Sequence, residues 1–90
     1  MADGFVAARF PCPCCGYDTL REPPLGTWEI CAVCRWEDDP AQGRDPDYPG
    51  GANPCSLNEA RANFKAFGAS HEVRRPSARP PRDDERPAPG

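Results

Sequence analysis

Two Cys-x-x-Cys pairs constrain this chain more than any other feature of its sequence. Cys12 and Cys15 form the first pair, Cys31 and Cys34 form the second, and residues 16–30 lie between them. A tight turn within each pair can aim two sulfurs at one point, and two such turns can surround a metal ion with a tetrahedron of thiolates. The spacing therefore predicts that these four cysteines bind one zinc ion.

The predicted site is closed, because four cysteine ligands leave no coordination position for water. Such a site indicates a structural ion and not a catalytic one. Gly16 follows the first pair and lets the chain turn so that backbone N–H groups point at the sulfurs. Iron in a rubredoxin-type site would use the same four thiolates, and the sequence does not separate the two metals.

Thiol–disulfide exchange is another use of Cys-x-x-Cys. Redox pairs usually stand at the start of a helix, where the helix dipole lowers the pKa of one thiol. Here each pair lies among prolines and short strand patterns, with no helical pattern after it. Metal binding is therefore the favoured interpretation, and redox chemistry stays as the alternative.

The chain needs such a site for stability. Its 90 residues contain few large apolar side chains, and a small core of this kind seldom holds a fold without a disulfide or a metal. The start, MADGFVAARF, has no basic or long apolar segment, so we expect neither a secretory signal nor a membrane helix. We therefore expect a cytoplasmic protein, where thiols stay reduced and available to a metal.

The charge is distributed unevenly along the chain. Residues 1–72 contain six Lys and Arg against eleven Asp and Glu, a net charge of −5, whereas residues 73–90 carry a net charge of +2. Phosphate contacts need Lys and Arg, so an acidic body argues against nucleic acid as the main partner. It suits another protein with a basic surface.

The predicted fold is a small α+β, zinc-ribbon-like domain. Two Cys-x-x-Cys knuckles stand on short antiparallel strands, which we place at FVAARF and TWEI, and the connection over residues 37–55 is irregular. One C-terminal helix follows in SLNEARANFKAFG: Ser56 and Glu59 form a capping box, and Gly68 ends the helix. Residues 1–72 form this domain, and residues 73–90 are predicted to be a disordered tail rich in Pro and Arg.

The segment WEDDPAQGRDPDY is dense in carboxylates. It lacks the regular spacing of a calcium loop, and no nucleophile, base and orienting group come together, so we expect no enzyme activity. One interpretation is a solvated loop whose carboxylates cap turns. The other is a protein-recognition surface with aromatic anchors and a charged rim. The residues of that predicted surface are Trp36, Glu37, Asp38, Asp39, Asp45, Asp47 and Tyr48.

Three further residues could bind a metal or react, and each has a simpler interpretation. Cys14 lies between two predicted ligands and should point away from the metal, either as a packed residue or as an oxidisable sensor thiol. Cys55 precedes the helix and is interpreted as a flanking apolar residue. His71 follows the helix stop and is interpreted as an exposed linker residue.

The motifs PCPCCGYDTL, WEICAVCRWEDD, DPDYPGGAN and SLNEARANF occur in this order over residues 9–67. Together they resemble the bacterial cysteine-rich CPCC domain family, whose members look like zinc-ribbon-like proteins. The resemblance implies that Cys12, Cys15, Cys31 and Cys34 are the metal ligands. It also implies that the acidic segment is a family feature, whereas Cys55 and the tail lie outside the shared pattern.

Two functions from different classes are compatible with these features. The first is a zinc-binding protein-interaction module with an acidic recognition surface, in one form an immunity or antitoxin-like protein that binds a basic toxin. The second is a thiol-based redox or zinc sensor that uses Cys14. Nucleic-acid binding, which other zinc ribbons perform, is disfavoured by the acidic body.

Overall fold

The computed structural model describes residues 9–87. Two strands, β1 (Phe10–Pro11) and β2 (Asp18–Leu20), pair antiparallel, with Phe10 opposite Leu20. Two α-helices follow, α1 (Pro40–Arg44) and α2 (Leu57–Phe67), and then two 3-10 helices, Glu72–Ser77 and Asp83–Glu85. Most of the first predicted strand, FVAARF, lies outside the described residues. No helix in the described part of the chain is long and apolar enough to cross a membrane.

The predicted strand TWEI is wrong. Only Ile30 forms a β-bridge, with Glu37. Trp28 has a φ of 63°, in the left-handed region that an extended strand cannot contain. The N–H groups of Thr27 and Trp28 bond instead to the side chain and the carbonyl of Asp38, at 2.9 and 3.0 Å. These bonds turn the backbone away from a ladder.

Helix α2 begins and ends where the sequence predicts. Ser56 accepts from the N–H of Glu59, and the Glu59 carboxylate accepts from the N–H of Ser56, so the capping box is complete. Gly68 ends the helix with a φ of 83°, a conformation that favours glycine. Leu57 and Ala60 are buried on the inner face.

Helix α1 lies within the stretch that the sequence predicts to be irregular. Asp39 caps it by accepting from the N–H groups of Ala41 and Gln42, and Pro40 fits the first helical position, where its missing N–H costs nothing. The Gln42 side chain is fully buried and donates to the carbonyls of Tyr48 and Cys55. A short helix and its hydrogen bonds therefore order the acidic segment.

The core lies between the cysteine pairs and α2. Its buried members are Cys12, Cys14, Cys31, Val33, Cys34, Trp36, Cys55, Leu57 and Ala60. Phe64 of α2 packs against this cluster and meets Tyr17 edge to face, with ring centroids 6.0 Å apart. The helix thus covers the cysteine-rich half of the domain.

The C-terminal segment, residues 70–87, folds back onto the domain, where the sequence predicted a disordered tail from residue 73. Glu85 is 1% exposed, and its carboxylate accepts two hydrogen bonds from Arg79, at 2.8 and 2.7 Å. The N–H of Arg79 donates to the carbonyl of Val33 at 3.1 Å. The prediction rested on apolar content, whereas this segment is held by hydrogen bonds and ion pairs.

Candidate metal centre

Four cysteine sulfurs converge at one point of the domain. The Sγ atoms of Cys12, Cys15, Cys31 and Cys34 all lie within 4.8 Å of one another. The distances between Sγ atoms are 3.6 Å for Cys12 and Cys34 and 3.7 Å for Cys15 and Cys31. A tetrahedron with metal–sulfur bonds of about 2.3 Å has sulfurs about 3.8 Å apart. The four predicted ligands are therefore brought together at the spacing that a tetrahedral ion needs.

The first knuckle is closed by two backbone hydrogen bonds. The N–H of Cys12 donates to the carbonyl of Tyr17 at 2.9 Å, and the N–H of Gly16 donates to the carbonyl of Cys12 at 2.8 Å. Gly16 has a φ of 82°, which glycine adopts without steric cost. This turn places Cys12 and Cys15 on the same side of the loop.

The second knuckle repeats this arrangement. The N–H of Cys31 donates to the carbonyl of Trp36 at 2.9 Å, and the N–H of Arg35 donates to the carbonyl of Cys31 at 2.8 Å. Arg35 takes the left-handed position, with a φ of 71°. The repeat is visible in the sequence as Cys-x-x-Cys-x-aromatic-acid, in CPCCGYD and CAVCRWE. The aromatic residue two positions after the second cysteine of each pair therefore helps to identify the second knuckle. The cysteine spacing alone does not include it.

The sulfurs lie in a protected and polarised environment. Cys12, Cys31 and Cys34 are at most 2% exposed. The Thr19 hydroxyl donates to the Sγ of Cys31 at 3.1 Å, and the N–H of Cys14 donates to the Sγ of Cys12 at 3.4 Å. Such bonds to sulfur stabilise thiolate charge around a bound metal.

The thiols influence each other's protonation. Hydrogen bonding to Cys15, together with burial, raises the pKa of Cys12, and hydrogen bonding to Cys12 raises that of Cys34. Hydrogen bonds from Cys12 and Cys15 lower the pKa of Cys31. The protein groups alone therefore favour a mainly protonated cluster, whose protons a cation can displace. Four soft sulfurs that converge at one point, three of them on buried cysteines, fit a tetrahedral Zn²⁺ site.

A model of the cysteine-rich CPCC family matches residues 10–85, most of the chain and all four clustered cysteines. The chain belongs to the cysteine-rich CPCC family. In this CPCC domain the match extends past residue 67, where the motif resemblance ends, and takes in the C-terminal segment as far as Glu85. A comparison with curated proteins finds no match.

Three residues of the predicted recognition surface are buried in this CPCC domain. Trp36 is 1%, Asp38 1% and Asp39 4% exposed. Asp38 accepts from the N–H of Thr27, and Asp39 accepts from the N–H of Ala52 while it caps α1. Their assignment to a partner surface is therefore corrected: they hold the backbone in place.

The pKa of Asp39 agrees with this structural role. Burial acts to raise it, but backbone N–H donors, that of Ala52 first, outweigh burial and lower the pKa below its ordinary value. The carboxylate is therefore ionised at neutral pH, as its hydrogen bonds require.

The other four predicted surface residues remain accessible. Asp45, Asp47 and Tyr48 are exposed, and Glu37 is half-buried. Asp45 accepts from the N–H of Asp47, and the Asp47 carboxylate accepts from the Asn58 amide at 2.9 Å. These bonds fix the carboxylates on the surface without neutralising them. A role in partner binding stays a prediction for these four residues.

The remaining cysteines and the histidine lie outside the four-sulfur cluster. Cys14 is 8% exposed and belongs to the core. Cys55 is also buried, its Sγ donates to the carbonyl of Ser70 at 3.3 Å, and burial raises its pKa. His71 is half-buried and caps a 3-10 helix by accepting from the N–H of Val73 at 3.2 Å. Each thus has a structural contact, although His71 was predicted to be an exposed linker residue.

Proposed function

We propose that Cys12, Cys15, Cys31 and Cys34 bind one Zn²⁺ and that this ion is structural. The observation that carries the proposal is the set of four cysteine sulfurs within 4.8 Å of one another, three of them on buried residues and that of Cys15 on a half-buried one. All four positions of a tetrahedral ion are then occupied by protein, so no position is left to activate water. The ion would join the two knuckles and stabilise the fold.

A cysteine series tests the metal proposal. Replacing any one of the four ligands by serine should abolish stoichiometric zinc in the purified protein, measured by elemental analysis. Cys14→Ser and Cys55→Ser are matched controls, because both thiols are buried outside the cluster, and should keep one zinc per chain. Loss of zinc in the controls, or iron in the wild type, would contradict the assignment.

We further propose that the domain is a non-catalytic interaction module for a basic protein. The net charge of −5 over residues 1–72 supports it, as do the exposed carboxylates of Asp45 and Asp47 beside Tyr48. Complementary charge accelerates association and selects partners of opposite sign. An immunity or antitoxin-like protein that binds a basic toxin is one specific form of this function.

Charge removal tests the interaction. The double change Asp45→Asn and Asp47→Asn should slow association with a basic partner captured by the wild-type protein and weaken the salt dependence of that rate. Lys65→Gln, on the exposed face of α2, is a control that should leave both unchanged or raise the rate slightly. An unchanged association rate in the double variant would contradict this surface.

The sensor function has one observation in its favour. Cys14 lies between two ligands in sequence, and its N–H donates to one ligand sulfur. Oxidation of this residue would therefore disturb the first knuckle. If Cys14 is a sensor, Cys14→Ser should slow zinc release under peroxide several-fold; equal rates in the two proteins would exclude it.

A further inference from the structure

Three large apolar side chains are exposed within one short loop. Leu25 is 49%, Trp28 54% and Ile30 48% exposed. The other large apolar residues exposed in the described part of the chain, Tyr48 and Val73, lie far from this loop in sequence. A cluster of this kind on a small domain usually marks a contact surface.

The backbone of this loop is held firmly. The carboxylate and the carbonyl of Asp38 accept from the N–H groups of Thr27 and Trp28, and the N–H of Asp38 donates to the carbonyl of Glu29 at 2.9 Å. Asp38 is itself 1% exposed. A buried residue therefore fixes three consecutive residues around Trp28 and orders the loop in advance of any contact.

Trp28 is held in an unfavourable conformation. Its φ of 63° is in the left-handed region, which is a genuine outlier for a bulky residue. Such a conformation persists only where the surrounding structure imposes it, and it is concentrated at functional sites. Asparagine or glycine would suit this backbone better, so folding alone does not account for a tryptophan here.

The loop is packed against the domain on one side only. A Cβ atom on Gly43 of α1 would lie 2.6 Å from a methyl group of Leu25, so Leu25 rests on that helix through the space that the glycine leaves. Ile30 is bridged to Glu37. The half of each side chain that faces outward is left free for a partner.

A polar cleft adjoins the same loop. It has a volume of about 360 Å³ and is lined by Arg21, Glu22, Thr27 and Glu29. The Glu29 carboxylate accepts from the N–H groups of Arg21 and Glu22, at 3.0 to 3.2 Å, and Glu22 is exposed. The lining of the cleft thus contains two carboxylates and one guanidinium, and its net charge is negative.

We propose that residues 21–30 are the docking surface for a basic segment of the partner protein. An Arg or Lys side chain of the partner enters the cleft at Glu22 and Glu29, and a neighbouring apolar side chain packs on Trp28. Aromatic anchors next to charged groups carry most of the binding energy at protein interfaces. A second copy of this chain is a poor occupant, because two such loops would bring the same carboxylates face to face. This inference rests on the proposed interaction function and names its surface and the chemistry of its partner.

Selection from a displayed library of random twelve-residue peptides tests the proposal on the zinc-loaded 90-residue chain. The expected peptides contain Arg or Lys next to an aromatic or aliphatic residue. Their binding should shift the emission of the exposed Trp28 to shorter wavelength, whereas Trp36 is buried and should not respond.

Three variants assign the contact. Trp28→Asn should weaken the selected peptides at least tenfold while the fold is kept, because asparagine tolerates a positive φ. Glu22→Gln should weaken them several-fold and reduce their salt dependence. Glu72→Gln removes an exposed carboxylate far from this loop in sequence and is the matched control, which should leave affinity unchanged. Zinc content and circular dichroism verify the fold of each variant.

The outcomes separate this inference from the proposed function. Peptides that need Asp45 and Asp47 but not Trp28 or Glu22 would overturn the inference and leave an acidic interaction surface in place. A selection that enriches no basic peptides would overturn both. Dimerisation of the wild type that Trp28→Asn abolishes would show that a second copy occupies the loop and would also overturn the inference.

Discussion

Gly16 and Arg35 occupy the same position in the two knuckles, one residue after the second cysteine. Both have a left-handed backbone, with φ values of 82° and 71°. Glycine adopts this conformation freely, whereas any residue with a Cβ is strained by about 1–2 kcal/mol. The same turn is therefore relaxed in the first knuckle and strained in the second.

Replacing Gly16 by alanine isolates this effect. The open space at Gly16, where an added Cβ meets no atom within 4 Å, means that only backbone strain is introduced. We expect Gly16→Ala to lower the free energy of unfolding by about 1–2 kcal/mol and Gly16→Asn to lower it less. Denaturant unfolding of the zinc-loaded proteins measures both, and equal stability of Gly16→Ala and the wild type would contradict the assignment of this turn.

The carboxylates of the acidic segment divide into two groups by burial. Asp39 accepts from the N–H groups of Ala41, Gln42 and Ala52, whereas Asp47 is exposed. Asp39→Ala leaves these donors without their acceptor, and we expect a loss of about 1–3 kcal/mol in the free energy of unfolding. Asp47→Ala is the control and should change it by less than about 0.5 kcal/mol. Equal effects would contradict the structural role of Asp39.

Individual residues differ in how far the sequence reveals them. The four ligands are predictable because Cys-x-x-Cys fixes two sulfurs locally and the repeat supplies the other two. The burial of Asp38 and Asp39 is not predictable, because it depends on Thr27 and Ala52, which lie at least eleven positions away in the sequence. The sequence does not distinguish a carboxylate that bonds to the backbone of a distant loop from a carboxylate in solvent.

The C-terminal segment covers the second knuckle. The N–H of Ser70 donates to the carbonyl of Cys34 at 2.8 Å, and that of Arg79 donates to Val33 at 3.1 Å. The Arg74 guanidinium donates to the carbonyl of Arg35. Three consecutive carbonyls of the knuckle are thus bonded to one segment, which shields the chain around a ligand.

Glu85 is the anchor of that segment. Hydrogen bonding to Arg79 lowers the pKa of Glu85 from 4.5 to about 2. Glu85→Gln should therefore weaken the docking of the segment by about 1.5–3 kcal/mol, seen as faster hydrogen exchange at the Ser70 and Arg79 amides. Asp83→Asn is the control, because the Asp83 side chain is fully exposed, and should leave these rates unchanged.

The pH dependence of this difference follows from the sign of the pKa shift. A carboxyl group whose pKa is lower in the folded protein stabilises it fully above the unfolded pKa, about 4.5, and loses that effect as the pH falls towards about 2. The difference between wild type and Glu85→Gln should thus stay constant from pH 7 to pH 5. A difference that shrinks within this range would contradict the ionised, buried Glu85.

The elements also differ in predictability. Helix α2 carries its own signals, since Ser56, Glu59 and Gly68 are local to it. The prediction of a strand at TWEI is wrong because the alternating polarity belongs to an exposed loop. Hydrogen bonds to Asp38 set the turn of that loop. The order in the C-terminal segment is missed because an ion pair between the half-buried Arg79 and the buried Glu85 has no signature in apolar content.

At the scale of the whole molecule, the two knuckles are joined through the cysteine cluster. Within the described residues the sheet has only two strands, of two and three residues. Such a sheet is marginal by itself. Without a cation, the four sulfurs would be protonated. The metal–sulfur bonds that join the two knuckles would then be absent. Metal binding in such a site contributes directly to folding.

Metal removal should consequently unfold the domain. Excess chelator at neutral pH is expected to abolish the helical circular dichroism signal of α2, and added zinc is expected to restore it, since the helix packs on the cysteine core. Cys14→Ser is the control and should behave like the wild type. A helical signal that persists after complete metal removal would contradict the dependence of the fold on the ion.

Native mass spectrometry of the freshly purified chain is the most direct test of the four-cysteine zinc site. We expect one zinc per chain, held by four deprotonated cysteines, and a metal-free, unfolded species after chelation. A folded, metal-free chain that is two or four mass units light would show disulfides in place of the metal. That result would contradict the zinc site and make thiol–disulfide chemistry the leading interpretation.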